Sequence, residues 1–410
     1  MKLLLSLPGC VAAVEVCALS LFAEASFFVL PAPAQQGFEG LATEGVQTET
    51  DDRLHGKGWW PTKGTFGRSK FAGAQSCSPC HADQAATQPT TPMGLAAERS
   101  PNFAVLQQDA VMTMREVPRI FSLESSRQGS RLSVTGDGDT VSVTIQWAFG
   151  SSRIRQTYLY SQDGSGYESQ VSFYSGIQGL DLTVGHTVHP GATLLEELGK
   201  RLEREDALRC FQCHTSFAVT AGNFDPDHAT PGLECEMCYG PALEHVRSMS
   251  EPSEQGSGTT PGAAGLVLAD FDRMSPVDSV DFCGACHRAW ADIAFAPTPP
   301  HGTDVLRFEP YRLEESKYWG TNGDPRITCV VCHDPHRPLV QRDQAYDHQC
   351  LACHRSPLHS GRTVSAARFC PVAGAKCVSC HMPKYKVAGM HGRFTGHWIS
   401  IVRPGEPLPM

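Results

Sequence analysis

The chain has 410 residues, with 34 Lys and Arg against 43 Asp and Glu; the formal net charge of −9 argues against a nucleic-acid partner, which wants basic faces. Seventeen cysteines, 29 prolines and only 8% aromatic residues describe a chain that draws little of its core from large apolar side chains. Beyond the N-terminus, no segment is long and apolar enough to span a bilayer.

Met1-Lys2 precede an apolar run, Leu3-Leu4-Leu5 and then Val11 to Phe22, which ends near Ala32-Pro33-Ala34. Residues 1–34 thus have the outline of a secretory signal with a small-x-small cleavage site. Glu15 and Glu24 interrupt the run, which leaves an uncleaved membrane anchor as the alternative, although Glu15 at mid-helix would be costly there. Either way the protein is expected outside the cytoplasm: periplasmic or extracellular, and membrane-associated if the leader is kept.

Residues 35–111 form an N-terminal segment, polar and rich in glycine up to about residue 70, anchored by Trp59-Trp60 and containing an isolated Cys-x-x-Cys-His at Cys77–His81. Residues 112–192 differ in character. Val141, Val143, Ile145 and Trp147 alternate with Ser142, Thr144 and Gln146, the period of a strand with one buried face. Gly136-Asp137-Gly138-Asp139 is a turn signal before it. Tyr158 and Tyr160 continue the alternation, Asp163-Gly164 turns, and Val171 with Phe173 makes a further strand. The pattern predicts an antiparallel β module over about 112–185, which either packs over a bound group or offers a docking surface.

From Thr193 the pattern predicts a helix with Leu194, Leu195, Leu198 and Leu202 on one face and Glu196/Lys200 as an i,i+4 pair. This helix opens the last region, 193–410. Glu251 to Gly265, full of Gly, Ser, Thr and Pro, reads as an exposed loop.

The chemistry lies in a repeated five-residue unit. Cys77-Cys80-His81, Cys210-Cys213-His214, Cys283-Cys286-His287, Cys329-Cys332-His333, Cys350-Cys353-His354 and Cys377-Cys380-His381 each place histidine directly after Cys-x-x-Cys. That unit is the attachment signature of c-type haem: two thiols add to the two vinyl groups of the porphyrin, and the adjacent histidine supplies the proximal imidazole to iron. Zinc sites and thioredoxin-like sites also use Cys-x-x-Cys, but zinc needs its ligands grouped in fours, and here nearly every pair brings its own histidine. Adjacent pairs are also poor disulfide staples. With 17 histidines in the chain, six successes in seven pairs are no accident. The seventh pair, Cys235-Cys238, has Tyr239 in the histidine's place. This argues against a normal haem there and leaves three outcomes: a bare dithiol or disulfide, a haem held through the cysteines with another ligand, or a haem lost by substitution. The cofactor count is therefore about six haem c, with a seventh in question. Cys370 belongs to no pair.

Eleven further histidines are available as second axial ligands, so most or all haems can be bis-histidine. The best distal candidates are His245, His301, His336, His391 and His397; His55, His186, His189, His228, His348 and His359 are as readily surface residues. Met93 reads as a packed methionine rather than an axial thioether.

Several strings resemble the multihaem cytochromes of the cytochrome c-552/c-554 group. Cys235-Glu236-Met237-Cys238-Tyr239-Gly240-Pro241 with His245 is similar to that group's Cys-Glu-x-Cys-His-Gly-Pro segment, departing from it at Tyr239. Cys329-Val-Val-Cys-His-Asp-Pro-His336 resembles its Cys-His-x-Pro-His element, where the last histidine ligates a neighbouring haem; Cys377-Val-Ser-Cys-His-Met-Pro-Lys384 resembles its terminal motif. The resemblance covers the first motif and the region from about Cys210 onward. With the elements above it implies an α-helical, loop-rich multihaem cytochrome fold with an inserted antiparallel β module.

Two functions are expected from this. The first is an exported electron carrier with closely spaced haems and no catalytic residue, served by redox partner proteins, a membrane-associated electron donor among them, and compatible with a homo-oligomer. The second is a reductase of a small nitrogen or sulfur oxyanion, which needs one haem with an open position. A structural role, with haems as a rigid core, is a third reading.

Overall fold

The computed structural model describes residues 66–126, 129–188, 191–250, 269–271, 274–294, 296, 300, 302–320, 323–324, 326–354 and 375–400. The signal, Trp59-Trp60, the 251–265 loop, His55, His189, His301, His359, Cys370 and the side chain of Cys353 lie outside what is described.

Ten strands build two antiparallel sheets: β1 (Ala97–Arg99), β2 (Val111–Glu116), β3 (Arg119–Ser126), β4 (Gly129–Gly136), β5 (Asp139–Ile145), β6 (Trp147–Phe149), β7 (Arg155–Gln162), β8 (Ser165–Tyr174), β9 (Gly179–Leu182) and β10 (Gly199–Arg201). One sheet runs β2-β3-β4-β5 and the other β1-β6-β7-β8-β10, with β9 also on β8. The expected turns form for a local reason. Asp137 and Gly138 have φ of 55° and 89°, and Asp163 and Gly164 have 50° and 74°. Both are two-residue hairpin loops with the left-handed backbone that Asp-Gly tolerates and that matches strand twist. They pin the registers Gly136↔Asp139 and Gln162↔Ser165.

The strand period then sorts the side chains. Leu132 and Val134 on β4 stand opposite Val143 and Val141 on β5, on one face. They meet Leu123, Ile145, Tyr158, Val171 and Leu198 in a core between the sheets, whose buried members include several at 0% exposure. Each such side chain contributes about 1.5–3 kcal/mol by leaving water. The register slips between Thr157 and Leu159 on β7. Leu159, alternating with Tyr158 and Tyr160, points to the opposite face, joining Trp147, Phe149 and Ala97 against Phe211 of the helix Arg204–His214. The second sheet is therefore apolar on both sides, one side facing its partner sheet and the other facing the motif-bearing region.

The helix expected from Thr193 does not form. Glu196–Leu198 is a single 3₁₀ turn, and Gly199–Arg201 is captured as an edge strand by β8, with Gly199↔Ser169 and Lys200↔Glu168. Tertiary contacts decide the outcome. Leu198 is buried between the sheets, and buried Glu197 pairs with the Arg119 guanidinium at 3.0 Å. Glu196 turns back to accept from the Ala192 and Thr193 amides instead of reaching Lys200. The helix proper starts only at Arg204. Both outer strands of this sheet, β1 and β10, come from outside residues 112–192.

The rest of the chain is built from short helices; among the described residues the longest is Pro276–His287, with 12 residues. No helix among them is long and apolar enough to cross a membrane. Four helices end on a motif histidine: Arg204–His214, Pro276–His287, Asp347–His354 and Cys377–His381. One helical turn puts Cys(i) and Cys(i+3) on a common face with His(i+4) beside them, the arrangement the motif needs. Arg288, at φ 69°, ends one such helix in the left-handed region, and Lys376, at φ 64°, turns the chain into another. Among the described residues, the one apolar cluster confined to this half is small, centred on Val280, Leu313 and Trp319.

Candidate functional site

The motif-bearing half encloses a cavity of 2720 Å³. Ordinary ligand pockets span about 300–1,000 Å³, and protein interiors otherwise pack to a density of about 0.74, so this is space for several large groups. Its walls hold cysteines from the five motifs beginning at Cys210, Cys283, Cys329, Cys350 and Cys377, with His214, His287, His333, His354 and His381. The first motif lies outside it, with Cys80 and His81 exposed. The walls also carry ten Lys and Arg against six Asp and Glu, the reverse of the whole chain's balance. A lining of thiol pairs, imidazoles, apolar surface and surplus cations fits covalently attached haem, whose propionates need positive partners. Among the described residues, no group of three or more His, Cys, Asp or Glu side chains is arranged to hold a bare metal ion.

Neighbouring motifs touch. The Cys77 thiol is hydrogen-bonded with that of Cys235, Cys213 with Cys286, Cys283 with Cys329, and Cys377 with Cys350, all of them free cysteines. Cys332 in turn lies near Cys350. The motifs thus form a connected series from Cys77 through Cys235 and Cys283 to Cys377, with Cys213 as a branch. Burial pushes the Cys210 thiol up to about 12 and those of Cys238 and Cys332 to about 11, so these thiols stay protonated at neutral pH. At Cys77–Cys235 the shared hydrogen bond holds the proton on Cys77 and lowers Cys235 to about 7.

Three of the histidines have Nδ1 set against a backbone carbonyl. His214 Nδ1 lies 2.8 Å from the Ala96 carbonyl, His381 Nδ1 lies 3.0 Å from that of Ser400, and His397 Nδ1 lies 3.2 Å from that of Thr395. A carbonyl only accepts, so in each ring Nδ1 carries the hydrogen and Nε2 keeps a lone pair for a metal. Burial lowers the proton affinity of His214, His333 and His397, which keeps those rings neutral. His214 is also stacked on Phe149 at 5.2 Å. Burial opposes protonation of His287 too, but the Glu309 carboxylate, 3.6 Å from its Nδ1, outweighs it and raises the pKa. His287 is 54% accessible yet surrounded by protein; that exposed surface is cavity wall.

Of the expected distal ligands, His397 is brought opposite His333, with ring centres 6.3 Å apart. Bonds of about 2 Å from metal to nitrogen, with the ring centre roughly 1 Å behind, put two axial imidazoles on one metal about 6 Å apart. His391 also lines the cavity, its Nε2 against the Asp181 carboxylate and its ring edge-on to Tyr174. His336 faces Tyr239. His245 sits in the helix Leu243–Ser250, and His301 is outside the described residues. Of the six histidines expected as readily to be surface residues as ligands, the three described ones find other partners. His186 has both nitrogens engaged, by Gln170 and Glu168; His228 binds Asp225; His348 binds the Ala345 carbonyl. Met93 packs against Phe71, Phe217, Leu233 and Met237.

Three acids escaped the sequence reading. Glu236, 1% exposed, accepts from the amides of Ala72, Gly73 and Ala242, tying the approach to the first motif to the Tyr239 motif. Asp347 accepts from the amides of Lys376 and Cys377 and so fixes the start of the last motif helix. Glu309 is the His287 partner. Only Glu236 left a signal, because it lies within the Cys235-to-Pro241 segment.

No protein-family model matches the chain, and no curated protein does. Among solved structures the chain is similar to the outer cell wall cytochrome OcwA, at 14% identity and a TM-score of 0.45, over 81% of this chain and 80% of that one.

Proposed function

We propose that this chain is an exported multihaem c-type cytochrome that carries single electrons through closely spaced, mainly bis-histidine haems. The observation that carries the reading is the cavity of 2720 Å³, walled by five Cys-x-x-Cys-His motifs whose neighbouring thiols touch. Each haem, when bound, supplies a one-electron iron couple. The chain's part is to hold and space the groups. Cysteine pairs fix each porphyrin edge; His81, His214, His287, His333, His354 and His381 supply proximal imidazoles; His397 stands ready as the distal partner of His333. The backbone carbonyls of Ala96 and Ser400 orient two proximal rings, and Glu309 makes His287 a stronger donor. The cationic wall receives propionates. A negative chain is best met by redox partners with a basic patch.

The alternative, reduction of a small nitrogen or sulfur oxyanion, draws on the same cationic wall, which also attracts anions. Spectroscopy of the secreted holoprotein separates the two. The carrier gives low-spin ferric haem that takes up neither carbon monoxide after reduction nor nitrite; a high-spin component that binds them refutes the carrier and supports the reductase.

A further inference from the structure

The Tyr239 motif is closed to a haem. The half-buried ring of Tyr239 stands parallel to His336, 6° from coplanar, and its hydroxyl donates to His336 Nε2 at 3.1 Å. Asp334 Oδ1, 3.2 Å from His336 Nδ1, keeps that ring's hydrogen on Nδ1, so Nε2 is the acceptor. A metal bound by both would set their donor atoms about 4 Å apart, at about 2 Å to each; a direct hydrogen bond leaves no such gap. Phe271 packs edge-on against the same tyrosine at 6.2 Å. Neither Tyr239 nor His336 belongs to the cavity wall, whereas Cys238 does.

The two cysteines are thereby left without a porphyrin, and they are built as a pair. Both are free thiols, on one helical turn in which the Cys238 amide donates to the Cys235 carbonyl at 3.1 Å. With a rise of about 1.5 Å per residue and a Cα radius of about 2.3 Å, residues three apart on such a turn have Cα atoms about 5 Å apart. That is inside the span of roughly 4.4–6.8 Å that a disulfide covers. Cys235 touches Cys77 of the first motif, and Cys238 lies beside Cys283. Between them, the Glu236 carboxylate accepts from the Ala72 and Gly73 amides and pins the approach to Cys77 against this turn. The pair thus stands where the first motif meets the series that runs on from Cys283.

Given that the chain is a multihaem cytochrome, we propose that Cys235 and Cys238 carry no haem and form a reversible disulfide, a two-electron couple in redox contact with the groups attached at Cys77 and Cys283. On oxidation both S–H bonds break and one S–S bond forms. Two protons pass to bulk water, and two electrons pass, one each, to two ferric haems of the same chain; reduction reverses every step. A bridge across so short a loop gains little from chain entropy and stays easy to reduce. It stores electrons and does not staple the fold. A path of one-electron centres thereby gains a site that holds two.

Intact mass, alkylation and protein-film voltammetry of the secreted holoprotein test this, for wild type and Cys238→Ser. Wild type is expected to carry six haem masses, one for each Cys-x-x-Cys-His. The peptide spanning Cys235 and Cys238 should take up two alkyl groups from iodoacetamide after reduction with dithionite, and none after oxidation with ferricyanide. Voltammetry should show a pH-dependent two-electron wave besides the haem waves. Cys238→Ser should lose that wave and keep all six haems. Seven haem masses, with the peptide blocked in both states, overturn the proposal and leave the cytochrome reading standing; a chain with no haem overturns both. A peptide alkylated alike in both states, or a two-electron wave that survives Cys238→Ser, also refutes it.

Discussion

Glu236 offers a test of how the first motif is held to the rest. Its carboxylate accepts three backbone hydrogen bonds of 2.8 Å, from Ala72 and Ala242 to Oε1 and from Gly73 to Oε2. In Glu236→Gln the shape is kept and Oε1 still accepts from two amides, now without charge. The new NH₂ faces the Gly73 N–H, leaving one donor unmet. A hydrogen bond to a charged group contributes about 1.5–3 kcal/mol and an unmet buried donor costs about 1–3 kcal/mol, so the glutamine should destabilise the holoprotein by about 2–4 kcal/mol. Glu236→Ala frees all three donors and should lose more. The assay is denaturant unfolding together with amide exchange. Exchange should quicken at Ala72, Gly73 and Ala242, with the amides of the distant β4–β5 hairpin unchanged. If Glu236→Gln unfolds within about 0.5 kcal/mol of wild type and those three amides stay protected, the strut is not what holds this region.

His397→Ala should leave His333 without its opposite ring and convert one haem from low to high spin, giving a carbon monoxide adduct on reduction; an unchanged low-spin spectrum would refute the pairing. Glu314 is pushed up to about 8 by burial and by Asp281 nearby, from an ordinary 4.5. Because the folded state holds this proton more tightly, its contribution is complete below about pH 4.5 and is lost as pH rises through 8. At about 1.4 kcal/mol per unit the loss is up to about 5 kcal/mol. Between pH 5 and 9 the wild type should therefore lose a few kcal/mol that Glu314→Gln keeps, and parallel pH–stability curves for the two proteins would contradict the assignment.

What could be read from the sequence was local. Asp137-Gly138 and Asp163-Gly164 dictate their own hairpins, and the i, i+3, i+4 spacing of each motif is satisfied within one helical turn. Properties that depend on distant chain were hidden. Residues 199–201 follow a leucine pattern that suits a helix, but the open edge of β8, thirty residues away, claims them. The Tyr239–His336 contact joins residues 97 apart, and the Glu236 amide bonds span 163 and 164. Glu309 and Asp347 look like any surface acid until the fold sets them against His287 and Cys377.

The outer strands of the second sheet have a mechanical consequence. β1 belongs to the chain leaving the first motif, and β10 to the chain entering the second. Between them run β6, β7 and β8, four interstrand steps of about 4.8 Å, or roughly 19 Å of hydrogen-bonded backbone. Side chains can swing, but a ladder of amides does not stretch. The module is thus a ruler: it sets the gauge between the segment that leaves the first motif and the one that enters the second, and on the electron-carrier reading proposed above it would keep the distance between the groups they hold the same in either redox state.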